Sequence, residues 1–181
     1  MKFLHITNWN LSQLKIGNVY QTPKDHSYYW EGKINGQRYV TPQNLPTIKF
    51  GDFNLLEDYK FRAELLKEHI FEDIRLNEYS DLPSRKRCMF LLDPQEDAIS
   101  FCTQYGFNKP PYYVIEIEKV DGKDKTHRCQ ISLLDCDTRP YSEIVENARK
   151  YWSGTDKIKS DMEILFEGGF IVTKVLHRFS S

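Results

Sequence analysis

Cys88-Met89-Phe90-Leu91-Leu92-Asp93-Pro94-Gln95-Glu96-Asp97-Ala98-Ile99-Ser100-Phe101 joins a continuous apolar run to a polar turn and then to a second apolar periodicity. Five apolar residues in a row, bounded by a turn signal and too few for a helix, predict a buried strand over 88–92. Asp93-Pro94 predicts the start of a helix running through Ala98, Phe101 and Cys102 to Gly106.

Upstream of this unit, Phe3-Leu4-His5-Ile6-Thr7 predicts a first strand ended by Asn8 and Asn10, with a short helix near Leu11 to Leu14. From Gly17 to Gly51 the chain is rich in Pro, Gly, Asn and Tyr, and the turn signal Ile34-Asn35-Gly36 predicts an irregular region with a hairpin. Asn54 with Glu57 three residues on has the form of a helix start, and Leu55, Tyr59, Ala63, Leu66, Ile70 and Ile74 recur at helical spacing. Pro83 favours extended backbone just upstream and closes that helix before Tyr79 to Arg85.

Downstream, Pro110 and Pro111 separate the second helix from two strands, Tyr112 to Val120 and His127 to Leu134. These flank Asp121-Gly122 and are expected to form an antiparallel hairpin. Glu143 to Trp152 predicts a third helix. Glu163 to Phe166 and Phe170 to Val175 predict two closing strands about a tight turn at Gly168-Gly169. The expected class is α+β, a largely antiparallel sheet flanked by helices in a single domain over residues 1–181.

A chain of 181 residues with 40% hydrophobic content can bury a core without disulfides or metals. Its formal net charge of -1 gives no large field toward nucleic acid or anionic membrane, although the strip Arg85-Lys86-Arg87 can meet a phosphate locally. Cys88, Cys102, Cys129 and Cys136 form no CxxC pair and no zinc-like spacing with the five histidines. They are expected to be reduced and mostly buried, with no metal site. No signal segment and no stretch of membrane-spanning length is present, which gives a cytoplasmic expectation. There is no Walker loop and no Rossmann fingerprint, and Ser84 lacks the glycines of a nucleophile elbow.

Four residues spread along the chain stand in or beside the predicted strands: His5, Phe90, Phe101 and Glu163. His5-Ile6-Thr7 lies on the first strand. Phe90 and Phe101, with ten residues between them, lie on a strand and the helix after it. Asp161-Met162-Glu163-Ile164-Leu165 opens a late strand. This pattern resembles the single-domain ADP-ribosyltransferases of the diphtheria-toxin and poly(ADP-ribose) polymerase branch, which carry His, Tyr and Glu on three separated strands. Glu72 to Arg75, Leu82 to Arg85 and Tyr151 to Gly154 are similar to stretches of poorly characterised bacterial and phage proteins with that fold. The chain departs from the pattern in having Phe at both tyrosine positions, Ile6 where glycine often follows the histidine, and Asp161 where Gln or Glu is usual.

The resemblance implies a transferase that consumes NAD as co-substrate and modifies a macromolecule, either protein, RNA or DNA. It implies a toxin or phage-defence setting with an antitoxin partner, and no membrane association. Glu163 would be the catalytic carboxylate, stabilising an oxocarbenium-like ribose and serving as base for the acceptor. His5 would hydrogen-bond the adenosine ribose, with Thr7 supporting the strand. Phe90 and Phe101 would wall the nicotinamide, and Arg85, assisted by Ser84, would meet the pyrophosphate. Trp152 and Asp161 would face the acceptor.

Each residue also has a plainer reading. A strand histidine is commonly bonded to backbone, most buried phenylalanines simply pack, and a glutamate at a strand start can be a solvated edge charge. Trp152 can serve as a packing anchor, and Arg85-Lys86-Arg87 as a solvated turn. Three rival functions stand beside transfer: NAD hydrolysis in the same pocket, an RNA 2'-phosphotransferase relying on Arg85 and Arg75, and a binding module of this fold without turnover, which the two Phe substitutions favour.

Overall fold

A computed structural model describes residues 1–8, 15–24, 55–107, 112–120, 122, 124–136, 139–154 and 162–179, with backbone only for 55–62. The expected short helix at Leu11 to Leu14, the hairpin about Asn35-Gly36 and the cap at Asn54 lie outside the described residues. In chain order the elements are β1 (Lys2–Thr7), β2 (Val19–Gln21), α1 (Leu55–Glu78), β3 (Met89–Leu91), α2 (Ala98–Gln104), β4 (Tyr113–Lys119), β5 (Lys125–Gln130), α3 (Tyr141–Ser153), β6 (Met162–Glu167) and β7 (Gly169–Arg178). A 3-10 turn, Ile131–Leu134, follows β5. The protein is α+β.

The strands form two antiparallel sheets, β1-β4-β7-β2 and β3-β6-β5. Apolar side chains on alternate faces put the inner faces of both sheets against one another. Phe3, Ile115, Ile117, Phe170 and Val172 from the first meet Met89, Leu91, Ile164 and Phe166 from the second. The opposite face of the second sheet carries Cys88, Cys129 and Leu165, which pack under Phe71 of α1 and Ala148, Tyr151 and Trp152 of α3. A third cluster, Leu4, Leu92, Ala98, Cys102 and Val114, lies beneath α2. All four cysteines are free and buried.

Both expected tight connections turn out to be crossings between sheets. β4 and β5 do not pair: β4 runs between β1 and β7, while β5 pairs with β6. Pairing followed the longer apolar partners rather than the local turn, since β4 finds six register partners on β1 and seven on β7. Likewise β6 and β7 belong to different sheets, and the chain changes sheet at Gly168, whose φ is +157°. A Cβ there would sit 2.0 Å from Asp124 Oδ1, which itself accepts from the Gly169 N–H at 3.2 Å.

Three local expectations are corrected as well. Residues 131–134 form a 3-10 turn rather than the end of a strand. Helix α2 is capped by Asp97, whose Oδ1 accepts from the N–H groups of Ile99 and Ser100, and not by Asp93. Leu66, assigned to the apolar stripe of α1, is 57% exposed, whereas Lys67, Glu68, Phe71, Glu72 and Arg75 are buried. The helix turns a partly charged face inward, and those charges find partners there.

Candidate functional site at the sheet split

Among the described residues the two sheets meet at one isolated main-chain bridge. Leu4 donates to the Leu92 carbonyl at 3.0 Å and Leu92 to the Leu4 carbonyl at 2.8 Å. In continued register the next rung would oppose Ile6 to Phe90, but β1 and β3 do not pair there, while β1 stays paired with β4 along its other edge from Lys2 to Thr7. The imidazole of His5 fills the gap, with Nδ1 2.9 Å from the Phe90 carbonyl oxygen. A carbonyl only accepts, so Nδ1 carries the proton. Burial pushes the His5 pKa down to about 4, partly opposed by that hydrogen bond. At neutral pH the ring is therefore uncharged, and Nε2 is its lone-pair acceptor.

Glu163 lies on the adjoining strand at the same level. Met89, Phe90 and Leu91 oppose Phe166, Leu165 and Ile164, and extending that register sets Glu163 beside Leu92. The backbones at His5 and Glu163 are thus about two strand spacings apart, roughly 10 Å. Strand alternation directs Glu163, with Leu165 and Phe90, toward the helix-covered face, while His5 shares the face of Phe3 and Thr7. The two residues reach the split from opposite faces of the strands.

Around Glu163 the structure builds a buried polar cluster. Glu163 Oε1 accepts from Arg85 Nη1 and from the Tyr151 hydroxyl, each at 2.5 Å. Arg85, 3% exposed, also donates to both oxygens of Glu68 at 2.9 and 3.1 Å and to the Tyr151 hydroxyl oxygen. Its guanidinium carbon lies 5.1 Å from the Phe90 ring centre and 5.3 Å from that of Tyr151. Burial alone would lower the Arg85 pKa. Attraction to Glu68, then to Tyr151 and Glu163, outweighs it and holds the group charged. Burial raises the Tyr151 pKa, so its phenol stays protonated and donates. Both bonds to Glu163 end on Oε1, and the side chain keeps 11% exposure.

The other expected site residues divide clearly. Thr7 is buried on β1 beside Tyr113 of β4. Phe90 packs with the cluster under α1 and α3, whereas Phe101, on α2, packs against the Leu4 and Leu92 cluster, its ring 4.4 Å from that of Tyr105. The two phenylalanines therefore belong to different clusters. Arg85, expected at a pyrophosphate, points inward. Ser84 is buried too, and its Oγ donates to Glu72 Oε1 at 2.6 Å. Trp152, expected at an acceptor surface, is a core residue: its Nε1 donates to the Phe71 carbonyl at 2.7 Å, and its ring meets His127 and Tyr151. Asp161 lies outside the described residues.

Sequence reading did not assign Glu68, Glu72 and Tyr151 to the site. Glu72 accepts from Arg75 Nη2 at 2.9 Å as well as from Ser84, and its Oε2 is buried without a hydrogen-bond partner among the described residues. The signal that could have found them is the spacing of Glu68, Glu72 and Arg75 about Phe71, which sets charges on the same face of α1 as an apolar anchor. Buried charges of this kind require partners on the facing element. Among the described residues no group of three or more His, Cys, Asp or Glu is placed to hold a metal ion, and no helix is long and apolar enough to cross a membrane.

A family model described as a protein of unknown function, DUF2441, matches residues 4–178, nearly the whole chain. No curated protein matches the chain.

Proposed function

We propose that this chain, which belongs to the DUF2441 family, has an ADP-ribosyltransferase-like fold and acts as a mono-ADP-ribosyltransferase, consuming NAD to modify a macromolecule. The observation that carries this reading is the level at which β1, β3 and β6 adjoin. His5 replaces a backbone rung against Phe90, and Glu163 stands beside the last paired residue, Leu92. The strand backbones at His5 and Glu163 stand roughly 10 Å apart, and a ligand with two separated ribose groups would cross the split to meet one side chain from each face.

The residues divide the work. His5 Nε2 accepts from a hydroxyl of the adenosine ribose, and its Nδ1–H is held by the Phe90 carbonyl, which fixes the tautomer. Glu163 presents Oε2 to the nicotinamide ribose while Arg85 and Tyr151 hold Oε1. When the nicotinamide–ribose C–N bond breaks, its electron pair leaves with nicotinamide, and the carboxylate stabilises the positive charge on the sugar. The acceptor nucleophile then bonds to the anomeric carbon, and its proton passes to Glu163 or through it to water. Arg85 shared between Glu68 and Glu163 leaves one net negative charge in the cluster, which is the sign the developing cation needs. Arg85 and Tyr151 are positioning residues here. Phe90 offers a ring without a hydroxyl.

Incubation with labelled NAD and separate pools of cell protein, RNA and DNA tests this reading and identifies the acceptor. Label is expected in one pool, with transfer lost in Glu163→Gln. Free ADP-ribose with no labelled pool assigns the chain to NAD hydrolysis instead. One observation favours a second reading, a binding module without turnover: the Arg85 ion pair offsets part of the charge that Glu163 would bring to catalysis. Saturable NAD binding with no nicotinamide release supports that reading.

A further inference from the structure

The strip Arg85-Lys86-Arg87 is split by the fold. Arg85 turns into the core, whereas Arg87, 40% exposed in its side chain, reaches a cavity of about 340 Å³ at the corner where the chain passes between the sheets. Thr22, Lys24, Lys125, Glu167 and Gly168 line the same cavity. Glu163 and Glu167 stand near opposite ends of β6, four residues or about 13 Å apart, so this corner is separate from the split at Leu4 and Leu92.

We propose that this corner cavity binds a phosphoryl group. Three cations face it against one lining carboxylate, and Asp124 stands just behind Gly168. Both carboxylates are already engaged. Glu167 Oε1 accepts from the Ser84 N–H at 2.6 Å and meets Arg87 Nε at 3.5 Å, and Asp124 Oδ1 accepts from the Gly169 N–H. Lys24 and Lys125 have no ion-pair partner among the described residues, and the bond to Glu167 leaves the outer nitrogens of Arg87 for a ligand. Thr22 Oγ1 accepts from the Gly168 N–H at 3.0 Å, which leaves its hydroxyl proton to donate.

Like charges gathered on one concave wall repel one another until an anion joins them, and a tetrahedral oxyanion can take donors from several directions at once. The volume lies at the small end of ligand sites and admits a phosphoryl group with a sugar attached. The same chemistry is offered by a small phosphoester and by the backbone of a nucleic-acid strand.

The test is titration of the full chain with inorganic pyrophosphate, followed by the amide signals of Gly168 and Gly169, and separately with a labelled single-stranded oligouridylate. Saturable shifts at those amides are expected. Arg87→Gln and Lys125→Gln should each weaken binding about three- to tenfold. Glu163→Gln should bind as the parent does, so a failure of the proposed NAD chemistry leaves this result intact. Oligouridylate that binds and is displaced by pyrophosphate identifies a strand as the source, and pyrophosphate binding alone identifies a small phosphoester. The proposal is overturned if neither probe binds saturably, or if the Arg87→Gln, Lys125→Gln double variant binds as tightly as the parent.

Discussion

The imidazole of His5 stands in for a main-chain rung against Phe90. Its Nδ1 lies 2.9 Å from the Phe90 carbonyl, just past the point where Leu4 and Leu92 last pair backbone to backbone. A sheet that parts exposes edge carbonyls, and each needs a donor when buried. The histidine meets that need and sets its own tautomer in doing so.

A pH dependence of stability follows. Burial lowers the His5 pKa from 6.5 to about 4, so the unfolded chain binds more protons than the folded one between those values. Stability is therefore full above pH 6.5 and falls as pH drops toward 4. Between pH 7 and 5.5 the loss from this one ring should be about 1 kcal/mol. His127, also lowered by burial, acts in the same sense. Urea denaturation at several pH values should show the decline, and His5→Asn should make it shallower. An unchanged slope would mean that the ring titrates normally.

Removing the cation from the buried cluster should cost far more than removing a surface charge. Arg85→Met leaves Glu68 and Glu163 desolvated without their shared partner, and a loss of about 3–5 kcal/mol is expected. Tyr151→Phe removes one donor to Glu163 and should cost about 1–3 kcal/mol. Chemical denaturation of both variants beside Glu68→Gln,Arg85→Met measures the coupling. The double variant should be more stable than Arg85→Met alone, because one unpaired carboxylate is gone.

Helix α1 gives a contrast between two residues five positions apart. Leu66→Gln should change stability by less than about 0.5 kcal/mol, since Leu66 is exposed, whereas Phe71→Ala should cost about 3–5 kcal/mol. Thermal melts of the two variants suffice to check this.

That contrast also marks where the sequence was legible. The Cys88 to Leu92 strand, the first strand, the three helices among the described residues and the α+β class follow from apolar period and length, because those signals are local. The inward face of α1 does not. An apolar stripe through Leu66 competes with one through Phe71, and only the partners Arg85 and Ser84, on a distant segment, decide that Glu68 and Glu72 are buried. Pairing was hidden for a related reason. Asp121-Gly122 reads as a hairpin turn and Gly168-Gly169 as a tight turn between two closing strands, yet β4 and β7 found each other across the sheet and left β5 with β6. At the site, the adjacency of His5 and Phe90 depends on where β1 leaves β3, a feature with no mark in either segment alone. The clamp of Arg85 and Tyr151 on Glu163 was likewise invisible, because the three residues lie far apart in the chain.

Nicotinamide release from NAD, measured for the parent chain and for Glu163→Gln with both shown to be folded by circular dichroism, tests the central claim most directly. The carboxylate assignment predicts release by the parent and a fall of about 100- to 1,000-fold in the variant. Equal release by the two proteins, or none by either, would contradict it.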